Sequence, residues 1–217
     1  MNKGRRAWVF AGGEFSAQSI PSAELRADDI YVCVDRGVEY CLAVNLRPHI
    51  VIGDLDSVSA DVLSDSRLDD VPRQIHPSRK AASDLQIALE WLESDPPDEV
   101  ILLGVSGGRT DHMLFNWMLP LLTDWSFSLQ LIDKTIRAYL LTHSQPWEID
   151  IPSGQTVSLL PLSTVTGVTT KGLQYGLSDA TIQPGSTLGL SNVADAASFA
   201  VSLSSGRLLI MVHRPAE

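Results

Sequence analysis

Asp54 and Asp56 are the residues whose type and spacing most directly suggest chemistry. They follow the apolar run Ile50-Val51-Ile52, which lies between Pro48 and Gly53 and is typical of a buried strand. Ligands of open parallel sheets bind outside the carboxyl ends of the strands, and hard divalent cations prefer carboxylate oxygens. The pair therefore predicts a magnesium site at a strand end. The alternative is a simple turn, which both glycine and aspartate favour.

Three more segments combine charged residues or glycines at the ends of predicted strands or the starts of predicted helices. Helix N-termini and glycine-rich turns bind phosphate because their backbone N–H groups point at the anion. Arginine and lysine add charge-assisted hydrogen bonds. We therefore expect phosphate and metal to bind where these segments meet. The segments are Asp35-Arg36-Gly37, Lys80 with Ser83-Asp84, and Gly107-Gly108-Arg109-Thr110-Asp111-His112.

Several of these residues also have a purely structural interpretation. Ser83 and Gln86 match a capping box, and Asp84 complements the helix dipole. His112 falls in the first turn of a predicted helix, where we expect it to make a local hydrogen bond. The pair Gly12-Gly13 follows the first predicted strand and permits close approach of a ligand, but it matches neither the dinucleotide nor the Walker pattern. A plain strand-to-loop turn is an equal alternative for that pair.

Strands and helices alternate in the first part of the chain, and these elements must position the residues above. Such alternation predicts an α/β fold with a Rossmann-like, mostly parallel sheet and helices on both faces. Strands are predicted at residues 7–11, 30–34, 50–52, 71–76, 99–104 and 128–132. Helices are predicted at residues 38–44, 83–92 and 113–122.

The sequence pattern changes near residue 135. Helical periodicity stops, and short alternating runs separated by turn residues predict an all-β domain, either a β-sandwich or a jelly roll. The predicted domains are therefore residues 1–135 and 136–217. Strands of the second domain are predicted at residues 147–151, 157–160, 165–169, 180–182, 198–203 and 208–212.

Net charge and the lengths of the apolar runs limit which partners and which cellular location we expect for the protein. The chain has 217 residues and a formal net charge of −10, so its field repels nucleic acid backbones and anionic membranes. No apolar run approaches the ~20 residues of a membrane span, and the apolar segment after the basic N-terminus is too short for a signal peptide. We expect a cytoplasmic protein. The two cysteines, Cys33 and Cys41, are expected to be buried thiols.

The order and spacing of these motifs resemble the thiamine pyrophosphokinase family over almost the whole chain. In the first domain the resemblance rests on the strand and loop from Pro48 to Ser57 and on the three charged segments described above. In the second domain, two further motifs of the family are similar to segments of this chain. They are Gly172-Leu173-Gln174-Tyr175-Gly176-Leu177 and Gly189-Leu190-Ser191-Asn192.

The resemblance implies transfer of a pyrophosphoryl group from ATP to the hydroxyethyl group of thiamine, giving thiamine diphosphate and AMP. It also implies a homodimer with the acceptor site at the subunit interface, an ATP- and metal-binding first domain and a thiamine-binding second domain. The implied Mg²⁺ ligands are Asp54, Asp56 and Asp84, and the catalytic set adds Lys80, Arg109 and Asp111. The implied ATP-binding residues are Gly12, Gly13, Asp35, Arg36, Gly37, Lys80, Ser83, Gly107, Gly108 and Arg109. The implied thiamine-binding residues are Asp56, Tyr175, Ser191 and Asn192.

Three other functions stay open on the sequence alone. One is pyrophosphate transfer to a different alcohol, such as a pterin. Another is a metal-dependent phosphohydrolase that uses the same aspartates. The third is a non-catalytic sensor of nucleotide or thiamine. The identity of the catalytic base also stays open, since several aspartates lie near the expected acceptor.

Overall fold

The computed structural model describes residues 4–20, 22–76, 81–142 and 146–214. It divides into two compact units, Met1–Lys134 and Thr135–Glu217, next to the boundary expected from the sequence. The separate roles assigned to the two domains stay predictions. Within the described ranges, no helix is both long and apolar enough to cross a membrane.

The first unit is built on a parallel sheet. Every adjacent pair in it runs parallel, and the strand order is β4-β3-β2-β1-β5-β6. Successive strands are added on one side of β1 as far as β4, and β5 then returns to its other side. Ligands bind preferentially where the strand order reverses in this way. The strands are β1 (Arg6–Phe10), β2 (Ile30–Val34), β3 (Ile50–Gly53), β4 (Arg73–Ile75), β5 (Glu99–Leu103) and β6 (Ser128–Ile132).

Both faces of this sheet are covered. All residues of β1 and β3 are buried, and because successive side chains point to opposite faces, each face must be packed against other elements. On one face, Val38, Cys41 and Leu42 pack with Trp8 and Phe10. The helices of the unit are α1 (Gly37–Ala43), α2 (Ala60–Leu63), α3 (Asp84–Glu93) and α4 (Thr110–Leu122).

Helix α3 covers the other face. It buries Leu85, Ala88, Leu89 and Leu92, whose helical spacing forms one apolar stripe. These residues do not belong to the core cluster around α1, and α3 contacts β2 and β3. The expectation of buried thiols is confirmed, because Cys33 and Cys41 are both free and buried. Most bounds lie within two residues of the predicted ones, but α4 begins at Thr110, three residues before the predicted start.

The second unit contains two antiparallel sheets that share one hydrophobic core, which is the arrangement of a β-sandwich. One sheet has the order β12-β9-β14-β7 and the other β11-β10-β13-β8. Strands β7 and β12 were not expected from the sequence. The strands are β7 (Ile136–Leu141), β8 (Trp147–Asp150), β9 (Thr156–Pro161), β10 (Val165–Lys171), β11 (Ala180–Ile182), β12 (Asn192–Val193), β13 (Ser198–Ser202) and β14 (Leu208–His213).

A buried ion pair joins the amino ends of β1 and β2. The guanidinium of Arg6 lies 2.8 Å from the Asp29 carboxylate, and their side chains are only 6% and 1% exposed. Asp29 also accepts hydrogen bonds from the indole of Trp8 at 2.8 Å and from the backbone N–H of Arg26 at 2.9 Å. Burial disfavours the charged form, but these hydrogen bonds, led by that of Arg6, outweigh it, so the pKa of Asp29 is lowered.

Removing one partner of this pair is expected to destabilise the first unit strongly. Asp29→Ala leaves Arg6 charged and buried, so we expect a loss of about 3–5 kcal/mol in the free energy of unfolding. Asp95→Ala is the matched control, since it breaks the exposed pair with Arg5 and should cost no more than about 1 kcal/mol. Denaturant unfolding of both variants measures the difference, and equal losses would contradict a dominant role for the buried pair.

Candidate active site

A cleft of ≈ 650 Å³ opens at the carboxyl ends of the central strands of the first unit. It is bounded by the loops after β1, β2, β3 and β5 and by the N-termini of α3 and α4. The structure therefore brings together, at the switch point of the sheet, most of the residues selected from the sequence. Those that line the cleft are Gly12, Gly13, Asp35, Arg36, Asp54, Ser83, Asp84, Gly107, Gly108 and Arg109.

Other selected residues lie outside the lining. Asp56 is exposed, and its backbone N–H donates to the Asp54 carboxylate at 3.2 Å. Gly37 packs α1 against β1, where a Cβ would overlap the carbonyl oxygen of Phe10. Asp111 is exposed beside Arg109. Lys80 lies outside the described residues, so its predicted phosphate contact stays a prediction.

The cleft also includes residues outside the catalytic and binding sets expected from the sequence. His112 and Asn116 line it from α4, and Ser57 lines it from the loop after β3. Arg109, His112 and Asn116 are spaced by three and four residues, which places them on one face of the helix. That spacing could have indicated Asn116. His112 lines the cleft, and whether it has a chemical role beyond a local hydrogen bond stays open.

The loops after β1 and β5 approach each other closely. The backbone N–H of Gly13 donates to the Gly104 carbonyl at 2.7 Å, and that of Glu14 donates to the Ser106 carbonyl at 2.7 Å. A Cβ on Gly13 would overlap both carbonyl oxygens, so only glycine allows this approach. The hydroxyl of Tyr40 donates to the Gly13 carbonyl at 2.8 Å and fixes the loop from the side of α1.

The turns after β2 and β3 are strained. Asp35 and Leu55 have φ values of 46° and 60°, which are uncommon for residues other than glycine. Gly53 has φ 141°, and a Cβ there would overlap the Asp35 carboxylate. The left-handed angles of Asp35 and Leu55 cost on the order of 1–3 kcal/mol each and persist only where the surrounding structure holds them. Asp54, which lies between Gly53 and Leu55, is therefore presented to the cleft by a fixed backbone.

Helix α3 begins at the cleft with a side-chain cap. Ser83 has extended backbone angles, and its hydroxyl accepts from the Gln86 N–H at 3.2 Å, which confirms the predicted cap. The Gln86 side chain is directed along the helix toward Glu90, to which its amide nitrogen donates at 2.8 Å, and it does not complete the capping box with the Ser83 N–H. Asp84 lies in the first turn, where the helix dipole favours negative charge.

Arg109 and Asp111 form an exposed ion pair at the start of α4. Their closest atoms are 2.7 Å apart, and the side chains are 71% and 59% exposed. The hydrogen bond from the Arg109 guanidinium is the main cause that lowers the pKa of Asp111 to about 2. Asp111 is therefore a carboxylate at neutral pH, and it competes with any anion for the charge of Arg109.

The carboxylates of the cleft fit an Mg²⁺ ion that is bound partly by water and substrate better than they fit a metal ion bound only by protein side chains. Among the described residues, no three His, Cys, Asp or Glu side chains are grouped closely enough to hold a metal ion. The cleft does bring Asp54 and Asp84 into its lining. Mg²⁺ typically takes one or two carboxylates and completes its octahedron with water and substrate phosphates. Two carboxylates near glycine turns and helix N-termini match that pattern.

In the second unit, Asn192 supports Tyr175. The Asn192 side chain is only 1% exposed; its oxygen accepts from the Tyr175 N–H at 3.0 Å, and its nitrogen donates to the Tyr175 carbonyl at 2.8 Å. Tyr175 is 69% exposed. Ser191 is exposed with φ 54°, and its N–H donates to Ser158 at 3.1 Å. Asn192 thus holds the backbone of Tyr175, and its expected contact with thiamine stays a prediction.

The Arg109–Asp111 pair predicts a specific change in pKa. A lowered pKa means that the carboxylate keeps its charge to lower pH, so removing the guanidinium must raise the pH at which Asp111 protonates. In Arg109→Gln we expect the pKa of Asp111 to rise from about 2 toward its ordinary value of ~3.9. Asp65, whose pKa is also about 2 because of Arg67, is the internal control and should not move. An NMR titration in which Asp111 stays unchanged would contradict the pairing.

Two family models match the chain, in the order of the two units. The model described as "Thiamin pyrophosphokinase, catalytic domain" matches residues 22–129. The model described as "Thiamin pyrophosphokinase, vitamin B1 binding domain" matches residues 147–209.

The chain is also similar to whole proteins of this family. The thiamine pyrophosphokinase of Bacillus subtilis (strain 168) is 29% identical over 191 residues, covering 85% of this chain and 86% of that protein. The crystal structure of thiamine pyrophosphokinase from Bacillus subtilis matches with a TM-score of 0.85 at 23% identity, covering 98% of this chain and 100% of that one. The thiamin pyrophosphokinase structure from Geobacillus thermodenitrificans gives a TM-score of 0.80 at 26% identity, covering 98% and 99%. The chain therefore belongs to the thiamin pyrophosphokinase family.

Proposed function

We propose that the chain transfers a pyrophosphoryl group from ATP to thiamine, giving thiamine diphosphate and AMP, and that the cleft of the first unit binds ATP with Mg²⁺. Membership in the family supports the reaction, since both the catalytic and the vitamin B1 binding models match. We infer the ATP site from the cleft, where carboxylates, glycine turns and helix N-termini meet. The reversal of strand order beside it supports a Rossmann-like nucleotide-binding sheet.

Asp54 and Asp84 are the proposed Mg²⁺ ligands of this chain. When bound, Mg²⁺ neutralises polyphosphate charge and aligns the reacting phosphoryl group. Asp54 is held by the strained turn after β3 and Asp84 by the capped start of α3, so both carboxylates are positioned before ligand binds. Asp56, the third ligand expected from the sequence, is exposed and is not grouped with Asp54 and Asp84 closely enough to bind the same ion directly, so we propose that it acts through water.

The positive groups of the cleft complement the phosphates. Arg36 and Arg109 line it, and the turn Gly107-Gly108 leads into the N-terminus of α4. A Cβ on Gly108 would meet nothing within 4 Å, so its backbone is open to a ligand. We propose that phosphate draws the Arg109 guanidinium away from Asp111, or shares it, because guanidinium binds phosphate bidentately.

Tyr175 is the proposed stacking partner of thiamine. Thiamine carries a permanent positive charge on an aromatic ring, and contact with the face of Tyr175 would contribute about 0.5–2 kcal/mol as a cation–π interaction. The exposed ring and the buried Asn192 amide that holds its backbone support this role. Ser191 is the proposed polar contact beside it.

The products distinguish this function from its alternatives. With ATP, Mg²⁺ and thiamine, we expect AMP and thiamine diphosphate in equal amounts, because attack at the β-phosphorus makes AMP the leaving group. Replacing thiamine with hydroxymethylpterin should abolish AMP formation. Release of inorganic phosphate without an acceptor would indicate a phosphohydrolase, and binding of both substrates without AMP would indicate a sensor.

Neutralising a proposed ligand should remove catalysis and leave the fold intact. We expect Asp54→Asn to lower kcat by about 10²–10³-fold, since loss of metal alignment is worth several kcal/mol in the transition state. Asp61→Asn, on the nearby helix α2 but outside the cleft lining, is the control and should retain its kcat. Steady-state assays and thermal unfolding compare the variants. Normal turnover in Asp54→Asn would remove this carboxylate from the mechanism.

We also propose a homodimer. Helix α4 exposes four large apolar side chains along one side, and exposed apolar patches of this kind commonly mark interfaces. They are Leu114, Phe115, Met118 and Leu122, with exposures of 52%, 75%, 53% and 46%. Sedimentation velocity should show a dimer, and Phe115→Lys should shift it toward monomer. A monomeric unaltered protein would contradict the proposal.

The cytoplasmic location stays a prediction.

A further inference from the structure

We propose that Glu39 is a positioning residue that fastens two loops of the cleft to helix α1. Glu39 does not line the cleft itself. One of its carboxylate oxygens accepts a hydrogen bond from the backbone N–H of Ser59 at 3.0 Å, and the other accepts from the guanidinium of Arg36 at 3.2 Å. A single side chain thus contacts the loop after β2 and the far end of the loop after β3.

The bond to Ser59 matters because the loop after β3 carries cleft residues on a strained backbone. The loop leaves the sheet at Gly53, contributes Asp54 and Ser57 to the lining, and has Leu55 at φ 60°. The sheet holds one end of the loop. At the other end, Ser59 is held by Glu39, which precedes it by 20 residues in the chain. Without it, Leu55 could relax to ordinary backbone angles and carry Asp54 out of place.

The bond to Arg36 orients a cation of the cleft. The Arg36 side chain is 54% exposed, and that of Glu39 is 22% exposed. The Arg36 guanidinium also lies 5.9 Å from the centre of the Tyr40 ring. Held between Glu39 and Tyr40, a flexible side chain loses less rotamer freedom when phosphate binds.

The state of the carboxylate agrees with both contacts. The hydrogen bond from the Ser59 backbone is the main cause that lowers the pKa of Glu39, and Arg36 adds to it while burial opposes it. Glu39→Gln keeps an oxygen that can accept from Ser59, whereas Glu39→Ala removes every contact. The two variants therefore separate the loop contact from general loss of the side chain.

This inference rests on the proposed ATP site, and thiamine diphosphate formation by the unaltered protein is measured first. We expect Glu39→Ala to raise the KM for ATP and to lower kcat/KM by about 10- to 100-fold, because small misplacements of binding groups have effects of that size. Glu39→Gln should keep kcat/KM within about threefold of the unaltered protein, because its side-chain oxygen still accepts from Ser59. The small remaining loss reflects a neutral hydrogen bond in place of a charged one.

Glu93→Ala is the matched control. Glu93 makes the same kind of contact at the opposite edge of the sheet, where its carboxylate accepts from the backbone N–H of Ser126 at 3.0 Å. It should lower the melting temperature about as much as Glu39→Ala, with unchanged KM and kcat/KM. A loss of folded protein alone lowers the apparent kcat and leaves KM unchanged, so KM for ATP separates positioning from stability.

Two results would overturn the inference. One is a Glu39→Ala variant that, like Glu93→Ala, loses thermal stability but keeps its KM for ATP. The other is a Glu39→Gln variant as impaired as Glu39→Ala, which would show that the acceptor for Ser59 is not what matters. An unaltered protein that forms no thiamine diphosphate would instead contradict the proposed function, and with it this inference.

Discussion

Parallel strand pairing is the constraint on which the candidate site depends. In a parallel sheet every strand ends at the same edge, so the loops that follow β1, β2, β3 and β5 are brought together whatever their separation in sequence. The strand order reverses at β1, and the missing side chain of Gly13 lets the loops after β1 and β5 hydrogen-bond directly. Carboxylates, glycine turns and helix N-termini then face a common cleft.

The two edges of this sheet differ in how they are stabilised. At the amino edge, the buried pair of Arg6 and Asp29 is fully hydrogen-bonded and ties β1 to β2. At the carboxyl edge, Asp35 and Leu55 adopt unfavourable backbone angles, which neighbouring groups must hold. Strained backbone of this kind clusters at binding sites, so its position beside the candidate cleft supports the proposal that the binding groups are positioned before ligand arrives.

Local signals in the sequence were sufficient for residues whose positions follow from a strand end or a helix start. Asp54 follows an apolar run, and Ser83 caps the next helix, so both were predicted to lie at the sheet edge, and both line the cleft. Gln86 shows the limit of the capping-box rule. Its backbone N–H donates to the Ser83 hydroxyl as the rule predicts, but its side chain donates to Glu90. Asn116 was missed because it lies within the body of a helix, where its exposure to the cleft depends on how that helix packs.

Long-range contacts explain the remaining differences. The motif of the second domain indicated Asn192 as a ligand-binding residue, which stays a prediction, but it did not indicate that the Asn192 amide hydrogen-bonds with the backbone of Tyr175, 17 positions away. Strand β7 was missed because it follows β6 after a short polar turn without glycine or proline, which are the usual turn signals. Neither result follows from the local pattern, since each depends on which segments pair in the folded chain.

We propose that ATP and Mg²⁺ occupy the cleft of the first unit. A crystal structure with Mg²⁺ and a non-hydrolysable ATP analogue tests it most directly. We expect phosphates at the N-termini of α3 and α4 and a metal ion about 2.0–2.1 Å from carboxylate oxygens of Asp54 or Asp84, or one water molecule away from them. An analogue bound elsewhere, or a metal ion that neither aspartate approaches directly or through water, would contradict it.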